Sequence, residues 1–432
     1  MTRPLPFRRA LTTSAATLLA GGLAVASTLS PAHAATIGGV APVRTVQMGS
    51  DLPLQAIADD GTIYSSLSST IDVWAPSSSG TAPTISKSFT PVSVNGQPAL
   101  DPVQGLAWAT TSPAASVIVM DPSQPGGAVL PTRTITGALT KLDDPNAVAW
   151  TPNGSLWVYD SNQSTTKVPE LLRFAPGADG NVAPVQRIAG GSTHLSDGAV
   201  IGSQGLLAAL PDNGVAFAQA TVGDPSIEIF THAQNGNTTP AHIVRVPTPS
   251  PHWISEGIAS DAQGHLYIGS GDLSGASFGR LDIYSSTGQP IVTIGGSAER
   301  FQVPLVPTVA KNGTLALVDA LIIDLGGSTT QAATVKVYRP IFGKPGAVRS
   351  LKVTTSHSAQ TVTWLAPANP GGTPPSYTVV VKKGTKTVLS KKVSTTRLAI
   401  ARSALPKGSL KVTVTAVNIG GSGPGASKTF TN

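Results

Sequence analysis

The sequence predicts an all-β fold built mainly from one repeated unit. A strand motif recurs six times along the chain, as IDVWAP, VIVMDP, LLRFAP, IEIFTH, LDIYSS and VKVYRP. Successive copies are spaced by 46, 54, 56, 54 and 54 residues, counted between their large residues Trp74, Met120, Phe174, Phe230, Tyr284 and Tyr338. This period is near that of four-stranded propeller blades. The repeat therefore predicts a six-bladed β-propeller.

Further strands flank the motif in most copies. A hairpin with a Gly turn precedes it in ADDGTIYSS, TPNGSLWVYD, PDNGVAFAQ, DAQGHLYIGS and AKNGTLALVD. Asn-Gly and Asp-Gly turns are strong hairpin signals because their backbone requires positive φ. A Pro-led strand follows the motif in GTAPTISKSF, NVAPVQRIAG and NTTPAHIVRV. Each complete unit is thus predicted to be a four-stranded sheet.

One copy of the outer strand stands apart from any complete blade. The segment GGVAPVRTV, residues 38–46, precedes the first full unit. A ring of sheets must be closed, and this N-terminal strand would close it by completing the last blade, from Val335 onward. The second unit, Val103 to Gly137, is short and lacks a clear Gly hairpin, so its strand count stays open.

The composition agrees with an all-β protein that is exported. The chain contains 45 Gly and 36 Pro, which supply turns, and charged residues make up only 12%. No sustained helical periodicity follows the N-terminal segment. The absence of Cys excludes disulfides, thiol catalysis and Cys-based metal sites together.

Residues 1–34 have the pattern of a signal peptide. Arginines are followed by the apolar run ALTTSAATLLAGGLAVA and by Ala-His-Ala, which predicts cleavage between Ala34 and Ala35. The general and the twin-arginine export routes both remain open. No later segment reaches the ~20 apolar residues that a membrane span needs. We expect a secreted or envelope-associated protein without a transmembrane segment.

Residues 343–432 resemble a fibronectin type III domain, an immunoglobulin-like β-sandwich. The matching landmarks are Pro345, Trp364, Tyr377, Leu405, Pro406, Gly408 and the run VTVTAVNIGGSGPGAS. Leu410 stands where the family has the tyrosine of its corner, which removes a hydrogen bond worth about 1 kcal/mol and leaves the fold intact. The remaining residues, 35–342, are assigned to the propeller.

The two predicted domains have opposite charge. Residues 344–432 carry 13 Lys and Arg and no acid, whereas residues 35–343 carry 13 Lys and Arg against 22 Asp and Glu. Charges of +13 and −9, with +3 from the leader, sum to the net +7. The basic domain predicts attraction to an anionic cell-wall polymer or polysaccharide, or to a protein partner. The lysines could instead serve solubility alone, or the acidic propeller could neutralise them. Nucleic acid is not expected, because no aromatic residues are interleaved with the basic ones.

The propeller resembles the NHL-like and gluconolactonase-like six-bladed propellers. The residues that carry the resemblance are ISEGIASDAQGHLYIGS, 254–270, and DPNAVAWTPNGSLWVYD, 144–160. The resemblance implies architecture more than activity, because such propellers include lactonases, lyases, dehydrogenases and binding platforms.

The residue that precedes the apolar core of each inner strand is expected at the mouth of the central channel. These positions form a polar ring of Gln55, Gln104, Asn146, either Asp197 or Gln204, Glu256 and Thr308. The ring could bind a small ligand. No cofactor is required, although a hard cation such as Ca²⁺ would fit oxygen ligands, with Glu256 and Asn146 as candidates.

A metal or acid–base cluster is a second interpretation of the same region. Its candidate residues are His194, Asp197, His252 and Glu256. Polar residues at a channel mouth are also expected without any function, because that position is wet. The sequence contains no HExxH, phosphate-binding Gly loop or EF-hand. Asp59-Asp60 and Asp143-Asp144 are interpreted as turn residues.

These observations favour a secreted, non-catalytic and monomeric binding protein. The propeller would present a ligand or partner platform, and the basic domain would attach it to the envelope or to a polysaccharide. The alternative is an extracellular hydrolase or lyase that acts on a carbohydrate or a lactone at the channel mouth.

Overall fold

The computed structural model describes most of the chain after the predicted signal peptide. The described residues are 28–29, 35–48, 54–67, 70–78, 85–88, 93–125, 127–128, 130–161, 168–195, 207–219, 224–250, 253–272, 278–295, 301, 303–324 and 329–432. The predicted signal peptide, apart from Thr28–Leu29, lies outside them.

Six four-stranded antiparallel sheets form within the described residues, and each is one blade. We number blades along the chain and give strands from the channel outward. Blade 1 has Leu54–Ile57, Ile63–Leu67, Thr70–Trp74 and Ile85–Ser88. Blade 2 has Ser93–Asp101, Gly105–Ser112, Ser116–Met120 and Arg133–Thr136. Blade 3 has Pro145–Trp150, Leu156–Asp160, Glu170–Phe174 and Gln186–Ala189.

The other three blades repeat this order. Blade 4 has Leu207–Ala209, Val215–Gln219, Ser226–Phe230 and His242–Arg245. Blade 5 has Trp253–Ser260, Leu266–Asp272, Arg280–Tyr284 and Pro290–Gly295. Blade 6 has Val303–Val309, Leu315–Asp324, Thr329–Tyr338 and the N-terminal Arg44–Gln47. Short parallel strands add to the outer edges of blades 1, 4 and 5, at Gly127–Ala128, Thr28–Leu29 and Ala35–Ile37 respectively.

The ring is closed by the N-terminal strand, which confirms the predicted closure. Arg44–Gln47 pairs antiparallel with the third strand of blade 6, with Val46 opposite Val335 and Arg44 opposite Val337. The six-bladed propeller followed by a sandwich is therefore the fold of this protein.

Blade 2 differs from the sequence interpretation in its inner strand. That strand is Ser93–Asp101, before the segment that the interpretation assigned to the blade. Its register with the second strand shifts between Asn95 and Ala99, around Gly96 and Pro98. A Gly and a Pro inside a strand disguise it in sequence, because both residues are typical of bulges and turns. The blade nevertheless has four strands.

Apolar side chains fill the space between blades. Because successive strand residues point to opposite faces, each blade packs one set against each neighbour. Between blades 3 and 4, Trp157, Tyr159 and Phe217 are buried, and the rings of Tyr159 and Phe217 lie 4.6 Å apart. Burial of such side chains stabilises by about 1.5–3 kcal/mol each.

Two loops, which we call latches, tie a blade to the outer strand of the blade before it. In the blade 3 latch, residues 179–181, Asp179 Oδ1 accepts from the Thr134 amide at 2.8 Å, and Asn181 Oδ1 accepts from the Leu139 amide at 2.8 Å. The central Gly180 has φ of 67° and exchanges two backbone hydrogen bonds with the outer strand of blade 2.

The blade 4 latch, residues 235–237, repeats this geometry on blade 3. Asn235 Oδ1 accepts from the Arg187 amide at 3.0 Å, and Asn237 Oδ1 accepts from the Ser192 amide at 2.8 Å. Gly236 has φ of 70° and bonds the backbone of the same strand. Since Gly adopts positive φ without strain, the triplets Asp-Gly-Asn and Asn-Gly-Asn suit this turn.

The C-terminal unit is a two-sheet β-sandwich. One sheet holds Arg349–Thr355, Ala359–Leu365 and Arg397–Ala401, and the other, in spatial order, Lys386–Val393, Ser376–Lys383, Ser409–Asn418 and Gly421–Thr431. Its core contains Trp364 in edge-to-face contact with Tyr377, and Leu410 is buried there. Assignment to the fibronectin type III family stays a prediction.

The described helices are three short 3₁₀ turns, Ala138–Thr140, Gly191–Thr193 and Arg402–Ala404. Among the described residues, no helix has the length and apolar character for crossing a bilayer.

The linker between the two domains packs on the propeller. Ile341 is buried in the cluster between blades 5 and 6, and the ring of Phe342 stacks on His265 at 3.9 Å. On the sandwich side, Asn418 Nδ2 donates to the carbonyl of Gly343 at 2.8 Å. This contact identifies the end of the sandwich that faces the propeller.

Candidate functional site

The inner strands of the six blades line a central channel. We call the end at which these strands begin the entry mouth and the other end the exit mouth. Small side chains line the channel, which encloses about 110 Å³; they include Ala56, Ala99, Ala147, Ala149, Ala208 and Ala259. Ligand pockets for small molecules usually measure about 300–1,000 Å³, so the channel itself is too narrow and a ligand would bind at a mouth.

Amide side chains bridge the channel edges of three blades. Gln97 of blade 2 donates from Nε2 to the carbonyls of Gln55, at 3.1 Å, and Pro307, at 3.2 Å. Gln55 Nε2 donates to the carbonyl of Val306 at 3.4 Å. Inner strands have no ladder partner on the channel side, so their carbonyls need such donors. Gln97 occupies the position that the sequence interpretation gave to Gln104.

Bulges interrupt the inner strands of blades 3, 5 and 6, at equivalent positions in blades 3 and 5. The register shifts around Asn146, around Glu256 and around Val306. A bulge leaves its extra residue outside the ladder and turns its side chain, and bulges are frequent next to active sites. Two predicted site residues, Asn146 and Glu256, thus stand at equivalent bulges near the entry mouth. The side chain of Glu256 lies outside the described part of the structure.

Asn146 belongs to a hydrogen-bond network with two carboxylates. Its Nδ2 donates to Ser161 Oγ at 2.6 Å, and Ser161 Oγ donates to Asp144 Oδ2 at 2.5 Å. The buried Asp160 accepts from the amides of Asp143, at 2.7 Å, and Asp144, at 2.8 Å. Burial, with the charges of Asp160 and Asp144, raises the pKa of the adjacent Tyr159 well above its usual value, so that phenol stays neutral.

The interpretation of Asp143-Asp144 as turn residues was therefore incomplete, because Asp144 joins this network. Asp160 was not recognised in the sequence either. A signal existed: Asp160 stands six residues after the hairpin Gly154, as Asp319 does after Gly313 and Ser270 after Gly264. All three residues are buried in the second strands of their blades. Asp59 and Asp60 do lie in a turn, where Asp60 Oδ1 accepts from the Thr62 amide.

Three buried polar atoms near this mouth have no hydrogen-bond partner in the part of the chain that the structure describes. They are Gln55 Oε1, Ser255 Oγ and Ser270 Oγ. Ser255 and Ser270 lie opposite each other in the ladder of blade 5, directly before the bulge at Glu256. A buried polar group without a partner is costly, by about 1–3 kcal/mol, and commonly indicates a bound water, ion or ligand.

The remaining predicted site residues lie elsewhere or outside the described residues. Gln104 is in the turn between the first two strands of blade 2, at the exit mouth, where its carbonyl accepts from Arg133 at 2.7 Å. Thr308 lies in the channel wall, two residues beyond the bulge of blade 6. His194 follows the 3₁₀ turn after the outer strand of blade 3 and has φ of 61°. Asp197, Gln204 and His252 lie outside the described residues, so the cluster with Glu256 stays a prediction.

The exit mouth holds a cavity of about 450 Å³ lined mainly by apolar residues, including Leu100, Trp150, Pro152 and Pro211. In the wall of this cavity, Lys311 Nζ forms an ion pair with the buried Asp101 carboxylate at 2.9 Å. Burial alone would raise the pKa of Asp101, but hydrogen bonds from Lys311 and from the amides of Gln104 and Val103 lower it below its usual value. Asp101 therefore stays ionised and is unsuited to act as a general acid.

The described residues do not form a metal site. Among them, no three His, Asp or Glu side chains come together in an arrangement that could hold a metal ion. A cation at the entry mouth would depend on Glu256, whose side chain lies outside that part.

No protein-family model matches this chain, and no curated protein matches it. Similar solved structures include a PQQ-bound aldose sugar dehydrogenase from Streptomyces coelicolor, 16% identical over 71% of this chain and 100% of that one, with a TM-score of 0.45. A protein provisionally described as a gluconolactonase is 15% identical over 72% of this chain and 97% of that one, with a TM-score of 0.39. Domains d3–d4 of rat CD45 are 18% identical over 26% of this chain and 63% of that one, with a TM-score of 0.20. These likenesses carry no argument about the chemistry of the mouth.

Proposed function

We propose that the propeller binds a carbohydrate or a sugar-derived lactone at its entry mouth. The observation that carries this proposal is the pair of equivalent bulges at Asn146 and Glu256, beside buried polar atoms without described partners. Amides, hydroxyls and carboxylates together supply the donors and acceptors that sugar hydroxyls require. The narrow channel favours a small ligand, or the end of a longer glycan, held at the mouth.

Titration calorimetry with a panel of sugars and lactones tests this binding. Asn146→Ala should weaken binding about tenfold, because it removes a polar contact worth about 1.4 kcal/mol. The matched control is Asn153→Ala in the exit-mouth turn of the same blade, where Asn153 Oδ1 accepts from the Ser155 amide. Equal losses in the two variants, or no binding by the natural chain, would contradict the proposal.

Cleavage of the same ligand is the second candidate function, as a hydrolase or lyase. The network that joins Asp144 to Asn146 and lies beside the buried Asp160 favours it, since carboxylates near a bound ligand are the groups that general acid–base catalysis needs. Acid release from lactones, followed at constant pH, separates the candidates. Turnover that Asp160→Asn abolishes indicates an enzyme, and binding without turnover indicates a non-catalytic protein.

This proposal includes no cofactor. Asn146 and Glu256 remain candidate ligands for a Ca²⁺ ion. A cation that binds only the folded protein raises its melting temperature by mass action. Glu256→Gln should remove any melting-temperature rise that Ca²⁺ produces. A rise that persists in Glu256→Gln would place the ion elsewhere.

We propose further that the protein is exported by its leader and attached through the basic sandwich to an anionic envelope polymer or polysaccharide. The separation of 13 positive charges from an acidic propeller supports this role. Retention on purified cell walls should fall steeply as salt rises, because electrostatic attraction between exposed charges is screened. Retention that salt leaves unchanged would contradict the attachment.

A further inference from the structure

Five of the sandwich lysines gather at one end of its four-stranded sheet, although the domain's other charges are spread over it. We call this group the lysine end; it consists of Lys382, Lys383, Lys386, Lys407 and Lys411. All five side chains are exposed. Residues 344–432 are all described and contain no Asp or Glu, so no acid of the domain accompanies them.

The pairing of strands brings these lysines together. Lys382 lies directly opposite Lys411 on the neighbouring strand, and Lys383 lies opposite Lys386 across a two-residue turn. Lys383 Nζ donates to the carbonyl of Lys407 at 3.0 Å, which brings the loop before Ser409 to the same place. The group is therefore set by register and is not a chance spread of charge.

This arrangement is unfavourable for the stability of the sandwich. Like charges directly opposite in a sheet are destabilising. The domain offers no carboxylate that would offset the repulsion at Lys382 and Lys411. A bound polyanion would relieve it, so the lysine end has more to gain from a polyanion than isolated surface lysines have.

The acidic propeller lies too far away to neutralise these charges. Asn418 marks the junction with the propeller, and Lys411 stands seven residues earlier on the same strand. At about 3.3 Å per residue the two ends are about 23 Å apart. That distance is nearly three times the screening length of about 8 Å at physiological salt. The lysine end thus lies at the end of the sandwich opposite its junction with the propeller.

The surroundings of the lysine end indicate the chemistry of its partner. Thr429 lies opposite Lys411, and on the same outer face the hydroxyls of Thr413 and Ser427 are hydrogen-bonded at 2.9 Å. The aromatic residues of this sheet, Tyr377 and Phe430, pack in the sandwich core. The outer face therefore provides hydroxyls and ammonium groups, without the aromatic platforms that nucleic-acid bases require.

We infer that the lysine end binds an anionic polysaccharide, a sugar chain with repeated negative groups. The ammonium groups would pair with those charges, and the neighbouring Thr and Ser hydroxyls would bond sugar hydroxyls. This inference rests on the proposed attachment role and names its surface and its partner class. It does not depend on the ligand of the propeller mouth.

The test measures binding of the full chain to polygalacturonate over a salt series, with uncharged dextran as the neutral polymer. Lys382→Gln/Lys411→Gln should weaken binding at low salt about tenfold and reduce the slope of log affinity against log salt by about one to two. The control is Lys352→Gln/Arg397→Gln, which removes two positive charges that flank Thr363 on the other sheet. Its affinity should stay within about twofold of the natural chain, because diffuse charge contributes little across a screened distance.

Each other outcome has a defined meaning. No salt-sensitive binding of polygalacturonate by the natural chain would overturn the attachment role and this inference together. Equal losses in the two double variants would overturn the assigned surface and leave the attachment role standing. Tighter binding to single-stranded DNA or to anionic lipid vesicles, with the same variant dependence, would overturn the polysaccharide assignment. Melting curves of both variants, expected at or above that of the natural chain, exclude misfolding as the cause of a loss.

Discussion

Val46 of the N-terminal strand lies directly opposite Val335 of blade 6, and this antiparallel pair belongs to the strand contact that joins the two ends of the propeller. Val46 is fully buried, in a cluster that also holds Ile63 and Trp74 of blade 1. The closure therefore rests on side-chain packing between the last and first blades as well as on the ladder.

Val46→Ala should lower the free energy of unfolding by about 2 kcal/mol, because it removes buried methyl groups and leaves a cavity. Urea denaturation measures the change. Val43→Ala is the matched control, since Val43 is 50% exposed beside the same strand, and its effect should stay below about 0.5 kcal/mol. Equal effects of the two substitutions would show that the closure does not depend on this packing.

The latches predict a pair of parallel results. Asn181→Ala and Asn237→Ala should each lower the unfolding free energy by about 1 kcal/mol, since each removes the acceptor of one backbone amide. Asn181→Asp and Asn237→Asp keep an oxygen at that place and should remain near the natural stability. If the Asp substitution lowers the unfolding free energy as much as the Ala substitution at the same residue, the prediction is wrong.

The ion pair between Lys336 and the buried Asp319 predicts a larger effect. Lys336 Nζ also lies 5.4 Å from the ring centre of Phe301. Lys336→Met should lower the unfolding free energy by about 2 kcal/mol, below the range for fully buried pairs because Lys336 is partly exposed. The exposed pair Arg245–Asp224 is the control, and Arg245→Met should cost less than about 0.5 kcal/mol. Similar costs at the two places would refute the prediction.

Buried tyrosines predict a loss of stability at alkaline pH. Burial, followed by nearby Asp charges, raises the pKa of Tyr159, Tyr267 and Tyr284 above the usual value of 10.0. The pKa of each tyrosine is higher in the folded state than in the unfolded state. The stability that each neutral, buried tyrosine contributes is therefore complete below about pH 10 and is lost as pH rises further. Above that pH, the ionisation of each tyrosine lowers the free energy of unfolding by about 1.4 kcal/mol per pH unit.

Tyr159→Phe should therefore flatten the decline of unfolding free energy above pH 10 by about 1.4 kcal/mol per pH unit. Urea denaturation between about pH 9 and 11 measures it, since this range spans the usual tyrosine pKa. The stability of the variant at neutral pH is the control for packing changes. A decline as steep as that of the natural chain would mean that Tyr159 ionises equally in both states.

Local sequence patterns predicted much of the fold. The six strand motifs and the Gly hairpins predicted the blades, because turn chemistry and strand alternation are read within a few residues. Ring closure was predictable because the segment that contains Val43 and Val46 repeats an outer-strand pattern away from any blade. Gly96 and Pro98 hid the inner strand of blade 2, since both residues oppose a regular strand. The sequence consequently indicates Gln104 at the channel edge of blade 2, where the structure has Gln97.

The candidate site depended on contacts that no local pattern contains. Asn146 and Glu256 were identifiable as polar residues before inner strands, whereas their bulges and the network with Asp144, Asp160 and Ser161 follow from pairing between strands.

The sequence by itself determined the all-β class, the number of blades, the closing strand and the separation of charge between the two domains. Each of these follows from residue types and their spacing along the chain. Only the tertiary structure decided which polar atoms meet at the entry mouth and that Lys382 faces Lys411. The physical reason is that strand register and blade packing join residues far apart in sequence, and a shift of one residue would turn each side chain to the other face.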